Sequence, residues 1–378
     1  MPEAVIVSAL RTPIGTARKG TLRDTSALDL AHHVVGAAAA GLDPDLIDDV
    51  ILGEGLYGGG DIARHAAITA GLPTVAGLAH NRHCAAGQAA VQGAAASIRA
   101  GMDELVIAGG VNSASTTPKS LFRIDGEWVD WMSPTHPDRP DAPNRDMSIT
   151  VGWNAAVKAG VTRGEMDAWA LRSHRNAVRA IDEGRFDAEI VPIETPHGLF
   201  SVDEHPRRDT SLEKLAALKP LHPEIEGFSI TAGNACGAND AAAALVVAGD
   251  RLGLPALATV RSWASVGVDP AETGLAPVKA IPKALARAGM TPADVDLYEI
   301  NEAFAAMCVA TIHLLELDPD RVNVNGSGCS LGHPVAATGA RMIVTLVHEL
   351  RRRGGGIGVA AMCAGGGMGS ATVIEVPA

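Results

Sequence analysis

The segment GLDPDLIDDVILGE (Gly41–Glu54) lines up without gaps on GMTPADVDLYEINE (Gly289–Glu302) at an offset of 248 residues, with Gly41, Pro44, Asp48 and Glu54 matching Gly289, Pro292, Asp296 and Glu302. In each copy an Ala-rich helical pattern runs into the glycine, which ends a helix by taking the left-handed conformation without steric cost. A β-rich stretch follows the acidic turn, Val50–Leu52 in the first copy and Val295–Ile300 in the second. A helix leading into a strand, present twice, marks a duplication.

The parallel continues downstream. Asn81-Arg-His-Cys84 opens one Ala-rich helix and Gly332-His333-Pro334 another, with Cys84 and His333 249 residues apart. The first helix runs to about Gly101 and leads into ELVIAGG (Glu104–Gly110). The second has Ile343, Leu346, Val347 and Leu350 at helical spacing, ends in Arg351–Arg353 and Gly354, and leads into GIGVAAM (Gly356–Met362). Both halves read strand, loop, helix, strand, which predicts two α/β halves with helix-covered sheets. The first half is too long for this pattern, and its excess, about residues 115–231, reads as an insertion. That stretch opens with an irregular loop holding Pro118, Pro134, Pro137, Pro140 and Pro143, and continues into an amphipathic helix around Glu165–Glu183. The divisions are an N-terminal half 1–249 containing the insertion and a C-terminal half 250–378.

Composition narrows the function classes. The net charge of −12 disfavours a binder of nucleic acid or of anionic membranes. The opening MPEAVIVSALR carries Glu3 and a short apolar run, which predicts a first strand instead of a signal peptide. The uncharged run Gly354–Ile374 is glycine-rich and reads as a strand pair, not a membrane span. The five cysteines are an odd number without a C-x-x-C pair, so neither a disulfide framework nor a zinc site is expected. Reduced thiols in a cytoplasmic protein without a metal fit best.

Cys84, directly before a predicted helix start, is a candidate nucleophile, because free amides and the helix dipole favour a thiolate there. That effect is about 0.3–1 kcal/mol, too small to ionise a thiol at neutral pH, so a base must help. His333 is placed by the duplication in the equivalent loop, with Pro334 suited to the first helical position. The alternative for Cys84 alone is a small buried apolar residue. Cys363, where a strand runs into GGG, is a second acid/base candidate, and Asn301 could orient water or stabilise an oxyanion.

As a set these residues resemble the thiolases. NRHCAAG (Asn81–Gly87) resembles the segment around that family's acylated cysteine. NEAFA (Asn301–Ala305), NGSGCSLGHP (Asn325–Pro334) and CAGGGMG (Cys363–Gly369) resemble its three C-terminal signatures. TAGNACGAND (Thr231–Asp240) and a helix over Arg172–Ile190 are similar to its inserted region. The resemblance implies a five-layer α-β-α-β-α fold and an acyltransferase that cleaves 3-ketoacyl-CoA with CoA or runs the reverse condensation. It implies that Cys84 carries the acyl thioester, that His333 activates it, that Asn301 holds water in an oxyanion site, and that Cys363 moves the second proton. It implies CoA and acyl-CoA as substrates with no permanently bound cofactor, Arg207 at the nucleotide phosphates, Met147, Ala232 and Cys236 along the pantetheine, and a homodimer or homotetramer. The alternative for Arg207 is a salt bridge to Asp203 or Glu204. Departures from the family pattern are Ala85 after the nucleophile, Asn112 for a usual Glu, Asp146 for a His, Ser327 in a Gly-Gly pair and Cys236 for a Ser. They leave the acyl chain open. The competing readings are a ketoacyl synthase and a relative that only binds CoA or lipid.

Overall fold

The computed structural model describes residues 2–55, 57 and 59–378. In the first half β1 (Ala4–Arg11), α1 (Ala27–Ala39), β2 (Asp49–Gly53), α2 (Ile62–Thr69), β3 (Ala76–His80), α3 (Ala86–Ala100) and β4 (Leu105–Ser113) precede a long excursion carrying α4 (Arg163–Asp182). The chain then returns through β5 (Asn239–Gly249). The second half runs β6 (Ala258–Gly267), α5 (Ala276–Ala288), β7 (Leu297–Ile300), α6 (Ala305–Leu315), α7 (Thr338–Arg352), β8 (Gly356–Ala364) and β9 (Met368–Val376).

The sheet repeats the duplication in all but its edge strand β3, which pairs parallel with β2 and is matched in the second half only by the single bridge Tyr298–Val322. β2 pairs parallel with β4 as β7 does with β8. β4 pairs antiparallel with β5, and β5 with β1, just as β8 pairs with β9 and β9 with β6. The halves meet where β1 and β6 run antiparallel, at Val5–Thr259 and Ile6–Ala258. Gly41 and Gly289, at φ +79° and +70°, end the helices before the two repeated segments, as their sequence predicts.

Three apolar cores make the layers. Leu30, Val34, Ile62 and Ala66 of α1 and α2 bury one face of the first sheet half, with Val50, Leu105 and Val246. Ile281, Leu285, Met307 and Val309 of α5 and α6 do the same for the second, with Ile300, Val359 and Val373. Between the sheet halves α3 and α7 share one core, in which Ala90, Val91 and Ala94 pack with Ile343, Val344 and Val347. The order is α-β-α-β-α. The two central helices approach closely through reciprocal glycines. A Cβ on Gly87 would lie 2.5 Å from the Ala336 carbonyl, and one on Gly339 2.6 Å from the Gln88 amide nitrogen.

Four local expectations need correction. The second-copy strand starts at Leu297, not Val295, because Pro292–Asp294 forms a 3-10 turn closed by Thr291 and Asp294. The proline-rich loop contains a hairpin, Ser120–Ile124 paired with Glu127–Trp131, turned by Asp125 and Gly126 at φ +51° and +91°. The inserted helix starts at Arg163, where Thr162 and Glu165 form a reciprocal cap, and stops at Asp182, so 183–190 is not helical. Pro334 is not the first helical residue. The segment after His333 is a turn, closed on the Pro334 carbonyl by the Ala337 and Thr338 amides at 2.9 Å, and α7 begins at Thr338. Gly354–Ile374 does form a strand pair, and among the described residues no helix is long and apolar enough to cross a membrane.

Candidate active site

The central helix pair sets the site. Cys84 sits one residue before the N-cap of α3, as expected, and the Gly87 amide donates to the Ala336 carbonyl at 2.9 Å, so the chain three residues past Cys84 is bonded to the chain three residues past His333. His83 before it holds a left-handed conformation (φ +47°), its amide donating to Asn81 Oδ1 at 2.7 Å. The backbone N–H of Gly365, in the glycine run after β8, faces the Cys84 sulfur together with the cysteine's own N–H. These donors favour the thiolate, but burial outweighs them and pushes the Cys84 thiol up. The helix-dipole expectation of a lowered thiol is therefore overturned by desolvation.

Cys363, the penultimate residue of β8, is buried, and its thiol donates to Met307 Sδ at 3.5 Å. Burial holds it well above the ordinary thiol range, and the nearby Cys84 and Cys236 add to the shift. Cys236, whose amide donates to the Ala303 carbonyl at 3.0 Å, is pushed up to about 12 by burial, with Cys84 adding. Three thiols thus converge, all held neutral.

His333 is buried and held down to about 3, first by desolvation and second by the Arg341 cation. Its amide donates to Asn239 Oδ1 at 3.0 Å. Its Nδ1 lies 2.7 Å from Thr338 Oγ1, which reaches the Pro334 carbonyl at 2.9 Å. With the Thr338 proton on that carbonyl, the imidazole donates through Nδ1–H and keeps Nε2 as an acceptor. Asn301, at the end of β7, brings Nδ2 within 3.4 Å of Nδ1 and 3.5 Å of Nε2. Its Oδ1 is buried and, among the described residues, has no hydrogen-bond partner, a costly state that a bound polar group relieves.

The residues expected to hold CoA are more dispersed. Met147 packs against the core that includes Ile230 and Phe304, and Ala232 is exposed in the turn between Thr231 and Asn234. Arg207 is exposed, and its amide donates to His174 Nδ1 at 3.1 Å. The alternative salt bridge is not made. Asp203 is engaged with Arg11 at 2.8 and 2.9 Å, and Glu204 accepts from Thr16 and Thr21. Of the departures, Asn112 donates to the Asn239 carbonyl at 2.9 Å, and Ser327 donates to Glu299 at 3.1 Å, beside Arg341. Asp146 pairs with His222 at 2.7 Å, closing two segments of the insertion on each other. Sequence reasoning missed Thr338, Met307 and Asn239. Thr338 carried a signal, lying five residues past His333 at the start of an apolar helical pattern.

Comparison with known proteins covers the whole chain. Residues 4–251 match the model for "Thiolase, N-terminal domain" and residues 254–376 that for "Thiolase, C-terminal domain". The chain is 42% identical to an acetyl-CoA acetyltransferase of Escherichia coli (strain K12), covering 99% of both chains. It is 39% identical to a 3-ketoacyl-CoA thiolase of Bacillus subtilis (strain 168), covering 100% of both. Among solved structures, the Bacillus anthracis acetyl-CoA acetyltransferase superposes with a TM-score of 0.92 at 41% identity, over 100% of this chain and 99% of that one. Human mitochondrial 3-ketoacyl-CoA thiolase in complex with CoA superposes with a TM-score of 0.90 at 34% identity, over 99% and 98%. With both family models matched in order along nearly its whole length, the chain belongs to the thiolase family.

Proposed function

We propose that this acyltransferase cleaves 3-ketoacyl-CoA with CoA, giving acetyl-CoA and a shortened acyl-CoA, or runs the reverse condensation, with Cys84, His333, Asn301 and Cys363 as its catalytic residues. The observation that carries the reading is the convergence of the Cys84 and Cys363 thiols, the Gly365 N–H and the buried Asn301–His333 pair at the ends of α3, α7, β7 and β8. Burial penalises both a free thiolate and an imidazolium, so at rest the proton stays on Cys84. It passes to His333 Nε2 as the sulfur bonds to the 3-keto carbon, where the negative charge moves to oxygen and meets prepositioned donors. The bond between C2 and C3 then breaks, its electron pair forms the acetyl-CoA enolate, and Cys363 protonates the carbon. A second CoA thiol gives its proton to the Cys363 thiolate and attacks the acyl group, and Cys84 leaves with the proton held by His333. In synthesis Cys363 removes the α-proton instead.

In this reading residues 1–249 and 250–378 are the two halves, and about 115–231 hold CoA, with Arg207 at the phosphates and Met147, Ala232 and Cys236 along the pantetheine. The protein works in the cytoplasm as a homodimer or homotetramer. Support for assembly comes from the hairpin of the insertion, where Leu121, Phe122 and Trp128 are half or more exposed. The test is thiolysis of acetoacetyl-CoA and of a longer 3-ketoacyl-CoA by wild type and Cys84→Ala, following loss of enolate absorbance. Turnover by wild type alone supports the reading, and its ratio between substrates reports chain length. Turnover surviving in Cys84→Ala refutes the nucleophile.

A further inference from the structure

Asn301 and His333 lie on separate loops, and the residue next to Asn301 joins them. Glu302 is fully buried, and its carboxylate accepts four hydrogen bonds from three segments of the chain. Oε1 takes Trp169 Nε1 at 2.9 Å and Asn323 Nδ2 at 2.8 Å, while Oε2 takes Ser173 Oγ at 2.6 Å and the Cys329 amide at 3.1 Å. Trp169 and Ser173 belong to α4 of the insertion, and Cys329 to the loop that carries His333. Having given its proton to Glu302, Ser173 Oγ accepts from the Ser327 amide at 3.3 Å and from Ser330 Oγ at 2.7 Å, holding the same loop again. Asn323 also brackets Ile300, the residue before Asn301, through two 2.8 Å bonds. The loops touch through Gly328, where a Cβ would lie 2.5 Å from the Glu302 carbonyl and 2.9 Å from Asn301 Oδ1.

Donors to an ionised carboxylate bind about twice as strongly as to a neutral acceptor and are directional. Four of them on one group over-determine its position. An amide in its place has one acceptor oxygen, and its NH2 faces two of the same donors.

We propose that Glu302 is a positioning residue, which fixes Asn301 and the His333 loop relative to one another and ties both to helix α4 of the insertion. This rests on the roles given to Asn301 and His333 above. In the working enzyme, the bond from Trp169 and Ser173 to Glu302 then makes the seating of the insertion part of the geometry of the oxyanion site.

The test uses Glu302→Gln, Ser173→Ala and Trp169→Phe in the full chain, assayed well below their melting temperatures. Turnover is normalised to the number of chains whose Cys84 can be acetylated. A purely structural role lowers that number and the Tm, but not the rate per competent site. For Glu302→Gln the expected loss in kcat per competent site is about 10- to 100-fold, the size of a small misplacement of reacting groups. The KM for CoA is expected to stay within about threefold, because the groups holding CoA are untouched. Ser173→Ala and Trp169→Phe each lose about threefold to tenfold, as for one hydrogen bond, and Ser173→Ala adds less than about twofold on the Glu302→Gln background. Unchanged kcat per site in Glu302→Gln overturns the proposal. If that variant does not fold, unchanged kcat in both donor variants does so. Failure of the underlying site reading looks different, since Asn301→Ala and His333→Ala then keep full turnover.

Discussion

Helix α3 begins two residues after Cys84, whereas its duplicate α7 begins five residues after His333. The frame around them is the same in both halves, down to the reciprocal packing of Gly87 and Gly339. In the first half the helix start follows the sulfur directly, and its dipole favours the negative charge that the proposed nucleophile takes. A helix starting directly at His333 would oppose the positive charge that the imidazole must take for a moment. The turn Pro334–Ala337 sets the ring back and gives its Nδ1 to Thr338. On the proposed roles, duplication supplied the frame, and the different loop lengths divided the labour of nucleophile and base.

The largest break in that comparison is expected from Cys84→Ala, which should reduce thiolysis to background. His333→Ala should follow with a loss of about 10²–10⁴-fold in kcat/KM, the usual contribution of a general base. Thr338→Val, which removes the partner of Nδ1 and keeps the shape, should cost about tenfold. These three rates, measured together, show whether the second half acts through its base or only through its fold. Gly87→Ala and Gly339→Ala test the shared frame. Each should cost about 1–3 kcal/mol of stability by overpacking, read as a lower Tm, and the two should be of similar size.

The smallest effect is in pH. His174 and His205 are held down to about 4 and His333 to about 3, all mainly by burial, against an unfolded value of about 6.5. Below pH 6.5 the unfolded chain binds protons that the folded chain does not, so stability falls as pH drops toward 4. Glu299, raised to about 7 by burial, works in the opposite direction between pH 7 and 4.5, as do the raised carboxyls of Asp49, Glu54 and Asp240, whereas burial also holds His33, His80 and His83 down and adds to the loss. Tm is therefore expected to be lower at pH 5 than at pH 7, and a flat or rising Tm on acidification would contradict the buried, neutral state of these histidines.

The duplication, the strand and helix order and the cysteine before α3 were legible because each is a local pattern repeated at a fixed offset. The hairpin at 120–131 was missed, although Asp125-Gly126 between two strand-like stretches was a signal for it, because the surrounding prolines made the stretch read as an irregular loop. Helix ends were less so. Where α4 starts depends on a reciprocal Thr162–Glu165 cap, and the turn after His333 depends on a hydrogen bond from Gly87 in the other half. The raised thiol of Cys84 was beyond reach for a similar reason. The helix dipole is local and readable, but burial comes from residues hundreds of positions away.

The most direct test of the central claim is to incubate the wild-type protein with acetyl-CoA, quench it in acid, and map the acetylated peptide by mass spectrometry. The account expects a single acetyl thioester on Cys84, absent in Cys84→Ala and slow to form in His333→Ala. A stable acetyl group on Cys236 or Cys363 instead, or none on any cysteine, would contradict it.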